Sequence, residues 1–307
     1  MIVADYSVSE LAERLAREGL RLRTGPVVTH IVSREPTVIA GIARQYADYP
    51  LAGADEFVDF FVTVERPDSL RRWWRPQAFF LFDQESLFNP LPASQAFALL
   101  EWGMNWCISS HCQQYLIIHA AVVAHADRAL ILPAPPGSGK STLCAALVQR
   151  GWRLLSDELA IIDPQSGKLV PLPRPVSLKN ASIDIIQNFA PDAVLNPPVF
   201  ETVKGTVAHM RPPSQSIRDA AIPALPAWVV FPRYQPDSAA ILTPLGKAEA
   251  LMQLADNAFN YTLHGRNGFE TLAGLVDRAD CFEFSYARLD EAIAVFAQLA
   301  NPAGGAA

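Results

Sequence analysis

The residues best equipped for chemistry are Gly139, Lys140, Ser141 and Thr142, which follow an apolar run and a proline–glycine turn. Residues 129–132 are apolar, Pro133 to Ser138 make the turn, and a helical pattern opens at Lys140. Strand, turn and helix in that order form the setting in which a glycine-rich loop cradles phosphate. The N–H groups of Gly137, Ser138, Gly139 and Lys140 would ring the anion, whereas Pro135 and Pro136 have none to give. The Lys140 ammonium adds a point charge, and the Ser141 hydroxyl is placed to meet Mg²⁺. Thr142 completes this candidate nucleotide-binding stretch. The usual pattern has glycine six residues before the lysine, and here Ala134 stands there. The loop therefore requires a negative φ at Ala134. A plain glycine turn before an ordinary helix is the competing reading, and the flanking context favours the phosphate loop.

Two acids come next. Asp157 lies seventeen residues beyond Lys140, just after the helical segment and at the far end of an apolar strand. That position is expected beside the loop's own strand, where an acid holds Mg²⁺ directly or through water. Glu158 should point the opposite way if the backbone is extended there, which frees it for a different task. A turn-capping or salt-bridging role is the alternative for both acids. His119 sits in the middle of the apolar stretch 115–124, where a histidine is more often a satisfied core residue than a reactive one.

Periodicity predicts the elements that position these groups. A helix is expected over 7–18, with Ser7 or Ser9 as N-cap and Gly19 as stop. Strands are expected over 27–33, 38–43 and 57–64, with an aromatic run at 79–83 and a proline-punctuated crossing loop at 88–93. Residues 94–113 read as a helix apolar on more than one side. Strands at 115–124, 129–132, 152–156 and 159–163 surround the loop helix 140–150. Residues 171–226 are proline-rich with short elements only, the texture of functional loops. Helices at 247–259, 268–279 and 289–300 enclose a strand at 281–285. The expected organisation is an N-terminal α+β extension over 1–93, an α/β nucleotide-binding domain over 94–300, and a flexible tail over 301–307.

Composition narrows the functional classes. Half of the 307 residues are apolar, 18% are charged and the net charge is −6, so a large core is expected and a nucleic-acid footprint is not. Arg71, Arg72 and Arg75, interleaved with Trp73 and Trp74, read as a solvated or packed loop. The four cysteines form no metal-ligand pattern; Cys107, His111 and Cys112 lack a fourth ligand. Free thiols, the absence of a signal-like N-terminus and the lack of a long apolar run point to a cytoplasmic, non-membrane protein.

Several segments carry a family resemblance. His119-Ala-Ala-Val-Val, the loop GSGKST at 137–142, and RGWRLLSDE at 150–158 resemble the core of HPr kinase/phosphorylase. The segment EWGMNWC at 101–107, with PRPVSLKN at 173–180, KGTVAHM at 204–210, VVFPRY at 229–234 and NAFNY at 257–261, is closer to the HPr kinase-related kinases. The likeness runs from about residue 20 to residue 290 and excludes the N-terminal domain of true HPr kinases. It implies a P-loop nucleotide-binding fold related to phosphoenolpyruvate carboxykinase, with transfer of the γ-phosphate of ATP to a serine. The acceptor would be a small protein or ribosomal peptide, and a homo-oligomer is possible. By position, Asp157 would be the general base, Lys140 would neutralise phosphates, and Ser141, Asp157 and Glu158 would meet Mg²⁺. His119 joins the candidate catalytic residues, with Lys204, Lys179 and Arg233 as phosphate or substrate contacts. The chain departs from the family at Ala134, at Asp157-Glu158 in place of two aspartates, and at Thr202 and Lys204 in place of an acid and an arginine. Phosphorolysis of phosphoserine is therefore not expected to follow. A small-molecule kinase and a non-catalytic ATP-binding regulatory module are the alternative readings.

Overall fold

A computed structural model describes residues 1–67, 74–135 and 137–301. Arg71, Arg72, Trp73, Pro136 and residues 302–307 lie outside the described residues; Trp74 and Arg75 are exposed. The N-terminal half begins with helix α1 (Val8–Arg17), whose N-cap Ser7 accepts from the Glu10 N–H while Glu10 reaches back to the Ser7 N–H. Strands β1 (Leu20–Thr24) and β2 (Val27–Ser33) follow as an antiparallel pair. Helix α2 (Pro36–Gln45) occupies the stretch expected as a strand at 38–43. The reason is topological. Strand β3 (Phe60–Glu65) pairs with β2 in parallel, and a parallel pair needs a crossover, usually a helix. Pro36 at the first helical turn, with Val38 and Ile42 one turn apart and buried, supplies the start and the apolar face. Strands β4 (Gln77–Phe82), β5 (Glu85–Ser86) and β6 (Leu91–Pro92) complete this sheet.

Helix α3 (Ala96–His111) leads into β7 (Leu116–His125), β8 (Arg128–Pro133) and helix α4 (Lys140–Val148). Strands β9 (Arg153–Ser156), β10 (Leu159–Ile162), β11 (Leu169–Val170) and β12 (Val176–Lys179) come next. The proline-rich region holds more structure than its texture suggests. It contains β12, helix α5 (Ala181–Phe189), β13 (Val199–Thr202), β14 (Gly205–Met210) and helix α6 (Ser214–Arg218). The C-terminal part adds β15 (Leu225–Tyr234), β16 (Ile241–Pro244), α7 (Lys247–Asp256), α8 (Tyr261–Arg278), β17 (Asp280–Tyr286) and α9 (Leu289–Ala300).

The fold is mixed α/β. A large mixed sheet runs in the order β11-β10-β7-β8-β15-β17-β16, with β9 also on β7. Strands β8, β15 and β17 are parallel, and β7 is antiparallel to β8. A small sheet, β12-β14-β13, stands apart. Ala121 and Val123 of β7 pack with α4, α5 and α9, while Ile118, Ala120 and Val122 pack with α7 and α8, the alternation expected of a strand buried on both faces. Among the described residues no helix is long and apolar enough to cross a membrane.

Helix α3 belongs energetically to the N-terminal half. Leu99, Leu100, Met104 and Ile108 share one cluster with β1–β4, α1 and α2, together with Ile117, Leu159 and Ile161 of the large sheet. A fragment covering 94–307 would expose that face to water. It is expected to lack a cooperative thermal transition by near-UV circular dichroism, whereas the full chain melts as a unit.

Candidate active site

Three residues on one face of β7 describe where the site lies. Ile117 packs into the N-terminal cluster, Ala121 into the α4 cluster, and His119 stands between them. The site is the seam between two hydrophobic cores. Strand β8 delivers the chain to this seam. Ala134, buried, is not among the residues with positive φ, as the loop requires, whereas Gly137 and Gly139 have φ of 87° and 85°. A side chain at Gly139 would meet the Tyr286 hydroxyl at 2.3 Å, and that hydroxyl donates to the Gly139 carbonyl at 2.9 Å. The Tyr234 N–H donates to the Ser138 carbonyl at 2.9 Å. The ends of β15 and β17 thus pin the loop from beside it.

Lys140 is the first residue of α4 and is only 7% exposed, and its Nζ has no hydrogen-bond partner among the described residues. Burial pulls its pKa down, and Asp157 and Glu158 work against that by favouring the ammonium. Asp157 is 4% exposed; its Oδ2 accepts from the Ser177 N–H at 3.0 Å, and its Oδ1 has no partner. Burial pushes the Asp157 carboxyl up to about 6, although Lys140 pulls it back. The hydroxyls of Ser138 and Ser177 are likewise unpartnered, so several polar groups are gathered without protein partners. Ser141 and Thr142 are half-buried, with the Ser141 hydroxyl near Asp157, and Pro135 is exposed.

The acids do not sit beside β8. Strands β9 and β10 pair with successive halves of β7, so β7 intervenes and residues 157–158 form the bend between them. This corrects the expected position. The acids nevertheless lie near enough to Lys140 to act on its charge. The expectation of opposite orientations assumed extended backbone; residues 157–158 form a bend instead, and both acids line one cavity and act on Lys140. Glu158 accepts from Asn105 Nδ2 at 2.6 Å and faces Lys179 Nζ at 4.0 Å. Burial would raise its pKa, but Lys204, Lys140 and Lys179 together hold it below the ordinary carboxylate value.

The other candidates fall at the rim. His119 is half-buried and stacks on Phe259 with ring centroids 5.9 Å apart. Burial, reinforced by Lys140, lowers its pKa to about 4, so the ring is neutral near pH 7. Lys204 lies in the turn from β13 to β14, and its Nζ rests 4.8 Å from the centre of the Trp102 ring. The residue as a whole is exposed, yet partial burial of the ammonium lowers its pKa against the pull of Glu158. Arg233 is exposed on β15.

The sequence motifs gave no hint of the support behind Glu158. Tyr46 donates to Glu101 Oε1 at 2.6 Å, Arg174 donates to Glu101 Oε2 at 2.6 Å and to Asn105 Oδ1 at 2.5 Å, and Asn105 holds Glu158. Glu101, Asn105 and Arg174 all stand in the segments EWGMNWC and PRPVSLKN, so their types were visible although their mutual contact was not. These groups, with Asp157, Ser177 and His209, line a cavity of about 20 Å³. His209 is 1% exposed, and neither of its ring nitrogens has a partner among the described residues. All four cysteines are free and buried, which leaves Cys107 and Cys112 as packing residues beside His111.

Among the described residues no group of three or more His, Cys, Asp or Glu comes together as a metal cluster. Magnesium held by one or two carboxylates, with phosphates and water supplying the rest, needs no such cluster. The unpartnered Asp157 oxygen and the adjacent Ser141 hydroxyl fit that pattern.

Neither a scan against protein-family models nor a search of curated proteins finds a match to this chain.

The buried Glu101–Arg174 pair generates a stability prediction. Glu101→Ala leaves an uncompensated guanidinium in the seam and is expected to cost roughly 3–5 kcal/mol in denaturant unfolding. Replacing an exposed partner, as in Glu270→Ala opposite Arg266, is expected to leave the denaturant midpoint nearly unchanged.

Proposed function

We propose that this site binds Mg-ATP through a P-loop and transfers the γ-phosphate to a serine hydroxyl on a small protein or peptide. The observation carrying the proposal is the buried, unpartnered ammonium of Lys140 at the start of α4, beneath two positive-φ glycines and beside the free oxygen of Asp157. The resemblance to the HPr kinase-related kinases supports the same reading and suggests a phosphoenolpyruvate carboxykinase-like P-loop fold in a cytoplasmic enzyme.

In this reading the loop N–H groups and Lys140 hold the β- and γ-phosphates. Asp157 takes the proton from the serine hydroxyl as the oxygen attacks phosphorus, and ADP leaves. A carboxyl poised at about 6 is ionised at neutral pH yet basic enough to accept a proton. Asp157 and Ser141 would hold Mg²⁺ with Glu158 assisting, and the ion would supply charge neutralisation on the phosphates. Glu158, anchored by Asn105, orients Lys179 and Lys204 toward the transferring group. Neutral His119 offers a hydrogen bond at the rim.

The direct test is incubation with γ-labelled ATP, Mg²⁺ and short serine-bearing proteins encoded beside this chain. Labelled phosphoserine is expected; nucleotide binding without transfer to any acceptor would favour a regulatory module. Lys140→Ala should abolish Mg-ATP binding in calorimetry, and unchanged affinity would remove the P-loop assignment. Asp157→Asn should bind Mg-ATP but lose at least about 10²-fold in transfer rate.

Asp157 also predicts a pH dependence. The rate should fall as pH drops through about 6, because the base becomes protonated. The sign for stability is opposite. A carboxyl whose pKa is raised by folding weakens the fold as pH rises from its unfolded value toward about 6. Asp157→Asn is therefore expected to exceed the parent in stability at pH 7, by roughly 1–3 kcal/mol, with the gap closing near pH 4. Equal stability at both pH values would show that the carboxyl is not strained. Lys204→Ala should reduce transfer while leaving ATP affinity nearly unchanged, since its contact matters mainly in the transition state.

A further inference from the structure

A second cavity backs onto the first. It measures about 380 Å³, within the range of small-molecule sites. The two share a wall. Between β11 and β12 the chain reads Pro171-Leu172-Pro173-Arg174-Pro175, a stretch that alternating prolines hold extended. Pro171 and Pro173 line the second cavity, while Leu172 and Arg174 line the cleft that contains Asp157 and Glu158. Extended backbone sends alternate side chains to opposite sides, so one strap serves both spaces.

The strap is held firmly. The Leu172 N–H donates to the Leu155 carbonyl at 2.7 Å, and Tyr49 donates to the Pro173 carbonyl at 3.0 Å. Gly25 presses from the other side, where a Cβ would lie 2.1 Å from the Pro171 carbonyl oxygen. Tyr49 lines the second cavity and packs edge-on against Tyr46 at 4.6 Å, and Tyr46 bonds Glu101. Two contact routes therefore lead from the second cavity to Arg174, one along the strap through Pro173 and one through Tyr49, Tyr46 and Glu101, and Arg174 reaches Glu158 through Asn105.

The lining selects a ligand class. Five prolines, with Val170, Ile217 and two alanines, make an apolar body that offers few donors. Among the described residues the charged lining residues are Arg23 and Arg218, both cations. Arg23 also meets Glu56 and Arg218 meets Gln215, but a guanidinium has five N–H groups and keeps donors for a second partner. Guanidinium groups both pair with anions and stack on flat rings. We infer that this second cavity binds a small apolar aromatic anion, and that its occupancy is transmitted through the 171–175 strap to the cavity lined by Asp157 and Glu158.

The proposal can be tested without assuming any reaction. The probe is 8-anilinonaphthalene-1-sulfonate, an aromatic anion that fluoresces when it enters apolar surroundings, compared with its uncharged relative N-phenyl-1-naphthylamine. The intact chain should bind one equivalent of the sulfonate in the cavity. Ala221 is exposed in a turn at the cavity edge, so Ala221→Trp can fill the space without disturbing a core, and it should abolish that equivalent. Arg218→Gln should weaken the sulfonate about tenfold and leave the neutral probe unchanged. Hydrogen exchange should slow at Leu172 and Ser177 when the sulfonate is bound. Unaltered sulfonate binding in either variant, or equal binding of the neutral probe, overturns the ligand assignment. Binding with no change at Leu172 or Ser177 overturns the transmission. Because none of these readouts uses ATP, the cavity can fail while the kinase reading stands, and the reverse.

Discussion

A cation at the first residue of a helix is in the wrong place for stability. The N-terminus of α4 already carries the positive end of the helix dipole, and its first turn holds no acid. Lys140 adds a buried ammonium to that end. Among the described residues Asp157 and Glu158 chiefly oppose it, and Asp157 is itself strained by burial. The arrangement makes sense when an anion is the missing partner, since phosphate would satisfy the loop N–H groups, the dipole and the ammonium together. What looks like electrostatic frustration in the protein alone is the preorganisation that binding would relieve.

Holding such groups apart from water requires rigid surroundings, and these come from both halves of the molecule. The small β12-β14 sheet sets Ser177 over Asp157, while α3 sets Asn105 against Glu158. Arg174 and Glu101 tie those two supports together behind the acids. The N-terminal half therefore contributes more than an appended layer. Tyr46, from the end of α2, is the outermost link in the chain of hydrogen bonds that ends at Glu158.

Much of this was legible where one local rule dominates. A serine N-cap at Ser7 or Ser9, the apolar run of β7 and the helix that opens at Lys140 could be read directly, because each depends on neighbours in sequence. Helix α2 could not, since its β-branched Val38 and Ile39 favour a strand locally and only the parallel pairing of β2 with β3 demands a helix. Strand β1 carried a visible alternation, Leu20 and Leu22 against Arg21 and Arg23, but its five residues gave little weight against the adjoining turn signals. In the proline-rich region α5 is short, and Asn180 before it adopts a positive φ, so its start lacks an ordinary cap. The Glu101–Arg174 contact spans 73 residues in sequence and leaves no periodic trace. Such contacts are a property of the fold.

The charge in the cleft points to how the proposed substrate would be accommodated. Lys140, Lys179 and Lys204 act on Glu158, and with Asp157 they leave three cations against two acids, a net of +1. The chain as a whole is at −6, so this is a local positive focus in an acidic molecule. A triphosphate brings more negative charge than +1 can neutralise, which leaves room for a divalent cation at the free Asp157 oxygen. Once the phosphates arrive, His119 loses much of the repulsion from Lys140, while burial, the larger cause of its lowered pKa, keeps the ring neutral.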